Sequence, residues 1–420
     1  AWYVTSYILA PCGLVIQDAV ADAMSVEAVP RFDADGRAID VDTARALHTT
    51  MQTLGRFALI SGTLAVAALN IYMFAGIEDL GPDAKRATYA LIYLAALSIP
   101  LVSVSGVLLA AWQKHRLRRG LRHSGLSEAE ADTLFERPGE ETRANPWYFI
   151  GGAGFVALSL SIGLSDIPYG QEIIFAGSMA IVLLLMRQLV AVLPVAQART
   201  LVGTAVIIFM FRATPRPGDG YTWFSIDLLA FDQQFLSVLS LITSVLTLVG
   251  MVILRPLMAH RSIVYIVVLL TLAGGVLSLP NIGLYYGVQE VTAAMTGGIV
   301  DARFIAILDT AIESPLGQVA MIPMLAWIAR NAPDNLKATF FAVMASFTNL
   351  ALSASSLLTK YLNQVFVVTR EVRDATTGQI TTPADYGALG MLLITVTLIT
   401  VGLPLLTVVV IQRSPLRSKD

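Results

Sequence analysis

Residues 263–272 read IVYIVVLLTL, and the run 181–186 reads IVLLLM. A strand of a membrane-spanning barrel alternates apolar and polar side chains over about ten residues. Neither run alternates, so neither reads as such a strand. Extended to 262–281, the first run reaches the roughly 20 residues that carry a helix across about 30 Å of hydrocarbon at about 1.5 Å per residue. It is expected to be a transmembrane helix. Outward from it, the same criterion finds segments near residues 2–26, 54–77, 87–112, 147–166, 172–194, 200–213 with an extension toward 229, 234–254, 304–329, 338–363 and 387–411. The expected fold is an all-α polytopic membrane protein with about eleven transmembrane helices.

Composition agrees with this reading. Of 420 residues, 55% are hydrophobic and only 14% charged, whereas soluble domains carry about 25% charged residues. One cysteine, Cys12, excludes a disulfide framework, and His48, His115, His123 and His260 are scattered without metal-ligand spacing. No metal site and no cofactor are expected, and nothing points to nucleic acid. The motifs G-x-S-x-G, H-E-x-x-H and G-x-x-x-x-G-K-[ST] are absent, so an enzyme reading has no residues to stand on. The chain starts with Ala1 inside an apolar stretch and has no basic n-region of a signal peptide. It reads as a sequence truncated at its N-terminus.

Charge placement orients the helices. Lys114, Arg116, Arg118, Arg119 and Arg122 cluster after the third segment, and cytoplasmic loops carry an excess of Lys and Arg. With that cluster inside, most of the other Lys and Arg also fall inside, Arg413, Arg417 and Lys419 at the C-terminus are cytoplasmic, and the hairpins at 78–86 and 364–386 lie outside. An integral protein of the cell (inner) membrane is expected. Ser127 followed by Glu130 makes a capping box for a short helix in the cytoplasmic linker. The basic run is read as a topology signal. Arg187 and Lys360 are expected to snorkel from their helix ends to the surface.

Ionisable groups inside a span cost about 2.5–3.5 kcal/mol each and are normally retained for a partnered interior role. Asp18 and Asp22 are four residues apart and share a helix face, followed by Glu27 at the helix end. Asp309 and Glu313 repeat the spacing, and Pro315 and Gly317 loosen the backbone just before Gln318. Such breaks are tolerated where helices line a water-filled cavity. Glu313, deep in its segment, is the strongest single candidate. Asn349 sits mid-helix beside Ser346 and Thr348, where helix packing explains it as well as ligand contact. Arg212 ends an apolar run at Arg212-Ala-Thr-Pro215.

Four stretches carry a family resemblance: QDAVADAMSVE at 17–27, RATP at 212–215, LDTAIESPLGQVAMIPML at 308–325 and ATFFAVMASFTNL at 338–350. The last two blocks, in order and separated by a short loop, are the specific part. The chain resembles the folate-biopterin transporter family of the major facilitator superfamily. The resemblance implies that 2–26 corresponds to the fourth helix of a twelve-helix transporter, so the first three helices and their Gly-Asp-Arg loop are missing. It also makes the helices near 147–166 and 172–194 extra to the pattern, and Lys337 stands where the family tends to have an acid. The implied organisation is 1–112, the remainder of the N-terminal bundle; 113–146, the basic linker; 147–198, two extra helices; and 199–420, a C-terminal six-helix bundle.

The resemblance further implies a secondary transporter working by alternating access. It would move a folate- or pterin-like small molecule with a proton or another coupling ion. Asp18, Asp22, Asp309 and Glu313 become candidates for proton coupling or for gripping the pterin amino groups, with Gln318 and Asn349 beside them. Arg56 becomes a candidate for a substrate carboxylate, or else a solvated residue near its helix start. Transport of another organic solute stays open, as does a non-transporting assembly or pigment-delivery role on the same fold.

Overall fold

The computed structural model describes residues 39–74, 81–123, 145–165, 167–331, 337–374 and 379–417, with a few positions between 13 and 29. Most of the first expected helix, Asp22, and the Ser127–Glu130 capping box lie outside the described residues. The described chain is helical, apart from one small hairpin. Among the described residues, 8 helical stretches are long and apolar enough to cross a membrane, and Val238–Ile253 is a shorter apolar helix. These account for nine of the expected segments, and 54–77 falls within a helix that ends at Phe74. The protein is a helical, polytopic integral membrane protein.

The chain divides into two compact units, 58–144 and the remainder. The smaller unit holds the later part of α1 (Val41–Phe74), α2 (Pro82–Ala96) and α3 (Ser98–His123). The expected single segment 87–112 is two helices because Pro100 has no N–H for an intrahelical bond. It is tolerated in the first turn of a new helix after a break at Leu97. Helix α3 then runs on through the basic cluster to His123. Its apolar side chains are turned outward, Leu101 at 72% and Val102 at 71% exposed, a surface suited to lipid.

The larger unit contains the first half of α1 and the other helices. These are α4 (Pro146–Gly163), α5 (Gly170–Val190), α6 (Val195–Arg212), α7 (Asp219–Asp227), α8 (Gln233–Ile253), α9 (Arg255–His260) and α10 (Ile263–Leu277). They continue with α11 (Leu279–Tyr285), α12 (Val288–Met295), α13 (Ala302–Glu313), α14 (Met321–Asn331), α15 (Lys337–Val365) and α16 (Leu389–Gln412). Several starts are capped by the side chain the sequence supplies: Asn145 accepts from the Trp147 amide, Asp232 from Phe235, Ser262 from Tyr265 and Asp301 from Phe304. The expected extension of 200–213 toward 229 is instead a separate helix, α7. Pro215 and Pro217 cannot donate helical hydrogen bonds, and the backbone leaves the helix from Ala213 to Gly218.

Helices α4 and α5 form a hairpin whose axes approach closely at Gly151 and Gly177, where Leu185 and Leu158 fill the space a Cβ would take. Helix α5 lies along α15, and α6 packs on α10, α15 and α16. The core where these meet includes Leu189, Leu201, Ile207, Phe340, Phe341 and Met344. Lys360 does not reach out alone from α15. Its ammonium meets Glu172 Oε1 of α5 at 2.8 Å, and the Tyr361 hydroxyl donates to the same oxygen at 2.7 Å. The carboxylate in the first turn of α5 stands opposite this end of α15, so an ion pair replaces snorkelling.

At that end the chain forms an antiparallel hairpin, β1 (Val372–Arg373) and β2 (Ile380–Thr382), closed by a Thr369–Asp385 bridge. It is tied to α7 by a two-point pair: Arg370 donates from Nε to Asp227 Oδ2 at 3.1 Å and from Nη2 to Oδ1 at 2.8 Å. The Tyr386 hydroxyl adds 2.6 Å to Oδ2. Arg370 and then Tyr386 hold the Asp227 carboxyl below its ordinary range. Its contribution is therefore complete above that range and is lost as pH falls through the lowered value. Asp227→Asn is expected to expose the hairpin to protease at neutral pH, and acidification should do the same to the unaltered protein. Identical cleavage rates at all pH values in both would remove the tie from the account.

Candidate functional site

The site is built on a broken helix. Pro315 removes the amide that would continue α13, and a short 3-10 turn at Ser314–Leu316 takes over, with the Gly317 amide donating to the Ser314 carbonyl at 3.1 Å. That carbonyl also accepts from Thr247 Oγ1 of α8 at 3.0 Å. Gly250, one turn further along α8, lets the helix approach until an added Cβ would stand 2.4 Å from Pro315 Cα. Helix α8 therefore supports the break from behind, and the break places Glu313, Gln318 and Met321 on one wall of a cavity of about 600 Å³.

The cavity also carries positive charge: Arg56 of α1, Arg212 at the end of α6 and Arg216 just beyond it line it. The turn that holds Arg216 is pinned to α15. Ser355 Oγ donates to the Thr214 carbonyl at 2.6 Å, Thr359 Oγ1 accepts from the Arg216 amide at 2.9 Å, and Asn363 Nδ2 donates to the Pro217 carbonyl at 3.3 Å. Arg212 Nη1 rests 3.1 Å from Met321 Sδ, while its Nε is buried with no partner among the described residues. Gln318 Oε1 is likewise buried and unpartnered. Among the described residues no carboxylate pairs with Arg56, Arg212 or Arg216. A buried polar group left unpaired costs about 1–3 kcal/mol, so Arg212 Nε calls for an acceptor and Gln318 Oε1 for a donor on a polar occupant.

The structure brings together Arg56, Glu313 and Gln318 of the sequence candidates. Asp309 lies one turn back from Glu313, where its Oδ2 accepts from Asn281 Nδ2 at 3.3 Å and its Oδ1 is buried without a partner among the described residues. Asn349 does not join the group. It lines a separate cavity of about 370 Å³ between α4, α5 and α15, with Tyr148, Ser346 and Ser353. Asp18 is exposed, and Asp22 lies outside the described residues. Sequence reasoning missed Arg216, Tyr221 and Asn281 as site residues and noted Arg212 only as a helix end. Asn281 had a signal, being an amide within an apolar run directly after Pro280. Tyr221 had none. Among the described residues, no group of three His, Cys, Asp or Glu is placed to hold a metal.

Comparison with known proteins gives the site its setting. A "Folate-biopterin transporter" of Synechocystis sp. is 29% identical over 168 residues, 39% of this chain and 33% of that protein. A "Putative folate transporter 2" of Plasmodium berghei is 23% identical over 174 residues, 39% of this chain and 36% of that protein. The chain thus spans about a third of the length of the curated relatives it matches. No solved structure matches significantly. The family model described as "BT1 family" matches residues 85–419, most of the chain and every wall of the cavity except Arg56. The chain belongs to the BT1 family.

Proposed function

We propose that the protein is a secondary transporter, not an enzyme, that moves a folate- or pterin-like anionic solute by alternating access driven by a proton gradient. The observation that carries this reading is one cavity lined by three arginines together with Glu313 and Gln318. Guanidinium groups bind carboxylates through paired, planar donors. Arg56, Arg212 and Arg216 are assigned to the substrate's carboxylates, Gln318 to a hydrogen bond with its ring, and Glu313 and Asp309 to the coupled proton. The names of the two relatives support the substrate class, and the broken α13 supports a midplane site of the kind transporters use.

In this reading residues 1–112 and 199–420 belong to the two rocking halves of a major-facilitator-type bundle. Residues 113–146 link them in the cytoplasm, 147–198 form an inserted pair, and the C-terminus is cytoplasmic at the inner membrane. Asp18, Asp22 and Asn349 are secondary candidates for substrate or proton contact. The test is uptake of labelled folate by cells unable to import it, expressing the complete protein, with and without a proton gradient. Gradient-dependent uptake that Arg212→Met abolishes is the expected result. Absence of uptake with the protein in the membrane would overturn the substrate assignment and leave another solute or an assembly role.

A further inference from the structure

Three elements that are distant in sequence meet behind the cavity wall. The Tyr221 hydroxyl of α7 donates to Asn281 Oδ1 of α11 at 2.6 Å, and Asn281 Nδ2 donates to Asp309 Oδ2 of α13 at 3.3 Å. Tyr221 and Asn281 are partly buried, and Asp309 Oδ1 has no partner among the described residues. Within α7, Ser225 Oγ donates to the Tyr221 carbonyl at 2.8 Å. Asn281 owes its place to the break at Ser278–Pro280, and Ser278 Oγ is met by Thr397 Oγ1 of α16 at 3.1 Å. The chain Tyr221–Asn281–Asp309 thus ends one helical turn from Glu313, which faces the cavity.

An amide has a donor end and an acceptor end, and each must face its complement. With the phenol donating to Oδ1, the amide presents its NH2 to Asp309, the arrangement that suits an ionised carboxylate. A proton that arrives on Asp309 Oδ2 makes that oxygen a donor, and two donors would then face each other. The conflict is relieved when the Asn281 amide flips. Its Oδ1 accepts from the new O–H, and its NH2 donates to the Tyr221 oxygen, whose own hydrogen turns away. One proton is taken from solution, one O–H bond forms on Asp309, and no other covalent bond changes.

We infer that Tyr221 and Asn281 are positioning residues that couple the protonation of Asp309 to the orientation of a single buried amide. This rests on the reading of Asp309 as a proton-carrying group. The charged and titratable groups around Asp309 are few. Glu313 is on its own helix, Tyr221 is on α7, Tyr285 is on α11, Tyr265 is on α10 and Glu290 is on α12, while α8 has no ionisable residue. The Tyr221–Asn281 pair is the hydrogen-bonded route among them.

The test uses the complete protein in lipid vesicles, with labelled folate as the probe of uptake. In parallel, infrared difference spectra follow the protonated-carboxyl band that Asp309→Asn removes. Tyr221→Phe keeps the ring and loses only the hydroxyl. It should displace the pH midpoint of that band, and of uptake, by about half a pH unit or more, the scale of one hydrogen bond in such a chain. Asn281→Leu should displace it further, which keeps the inference testable if either variant folds poorly. A titrating Asp309 band with the same midpoint in both variants would overturn the inference while leaving proton coupling intact. A protein with no Asp309 band at any pH would overturn the proton-carrier reading and this inference with it. The band decides the matter even where folate is not the cargo.

Discussion

Glu313→Gln should reduce gradient-driven accumulation of labelled folate by about 100-fold, near the upper end of the coupling energies that link two ligands of one protein. Exchange of internal for external substrate should survive. Glu313 ends α13 at the cavity, one turn from Asp309, and lines it together with Arg56, Arg212 and Arg216. Gln has nearly the same shape and keeps a carbonyl acceptor, so the cavity keeps its form and its arginines. What is lost is the capacity to take up and release a proton. Exchange needs no net proton movement, whereas accumulation against a gradient does. Membrane insertion, followed by the amount of protein in purified membranes, should be unchanged. Accumulation equal to that of the unaltered protein would remove Glu313 from the coupling mechanism.

A large effect on stability should come from Gly250→Ala, through a single methyl group. A Cβ there would stand 2.4 Å from Pro315 Cα and 2.5 Å from its carbonyl oxygen, both backbone atoms that cannot rotate aside. Either α8 retreats or the 3-10 turn moves, and overpacking of this kind costs about 1–3 kcal/mol or more. The turn also holds Ser314, whose carbonyl bonds Thr247, and it sets the positions of Glu313 and Gln318. Gly250→Ala should therefore lower the melting temperature in detergent by several degrees and depress transport together with it. Gly274 provides the control within the same bundle. Nothing lies within 4 Å of the position of its added Cβ, so Gly274→Ala in helix α10 should be neutral or stabilise by about 0.5–1 kcal/mol. Equal melting temperatures for the two variants would show that the close approach of α8 to Pro315 is not a constraint.

The legible part of the site was the part that rests on local chemistry. Asp309 and Glu313 stood out because charge within an apolar run is costly, and the Pro315 break could be read because proline lacks an amide hydrogen. The same reasoning brings in Asp18 and Asp22, ranked below Glu313, and also Asn349, which lines a different cavity. Arg212 looked like a helix end, since an arginine at that position is normally solvated. Its burial follows from the turn at 213–218 being pinned by Ser355, Thr359 and Asn363, residues more than a hundred positions away. Lys360 was misread for the same reason, because its partner Glu172 belongs to another helix.

A bundle of membrane helices, the approximate spans of those the structure describes, and the acids they carry could all be read from the chain alone. Each of those conclusions depends on a stretch of about 20 residues meeting hydrocarbon, and such a stretch carries all the necessary information within itself. The tertiary structure alone decided which polar groups face each other. Arg56, Arg212 and Gln318 share a cavity, and Tyr221, Asn281 and Asp309 form one chain. Helices of similar apolar character are interchangeable as spans, so nothing in their periodicity states their neighbours. That choice is made by close packing at particular small residues, such as Gly250 against Pro315 and Gly177 against Leu158, and by the few hydrogen bonds that the packing permits.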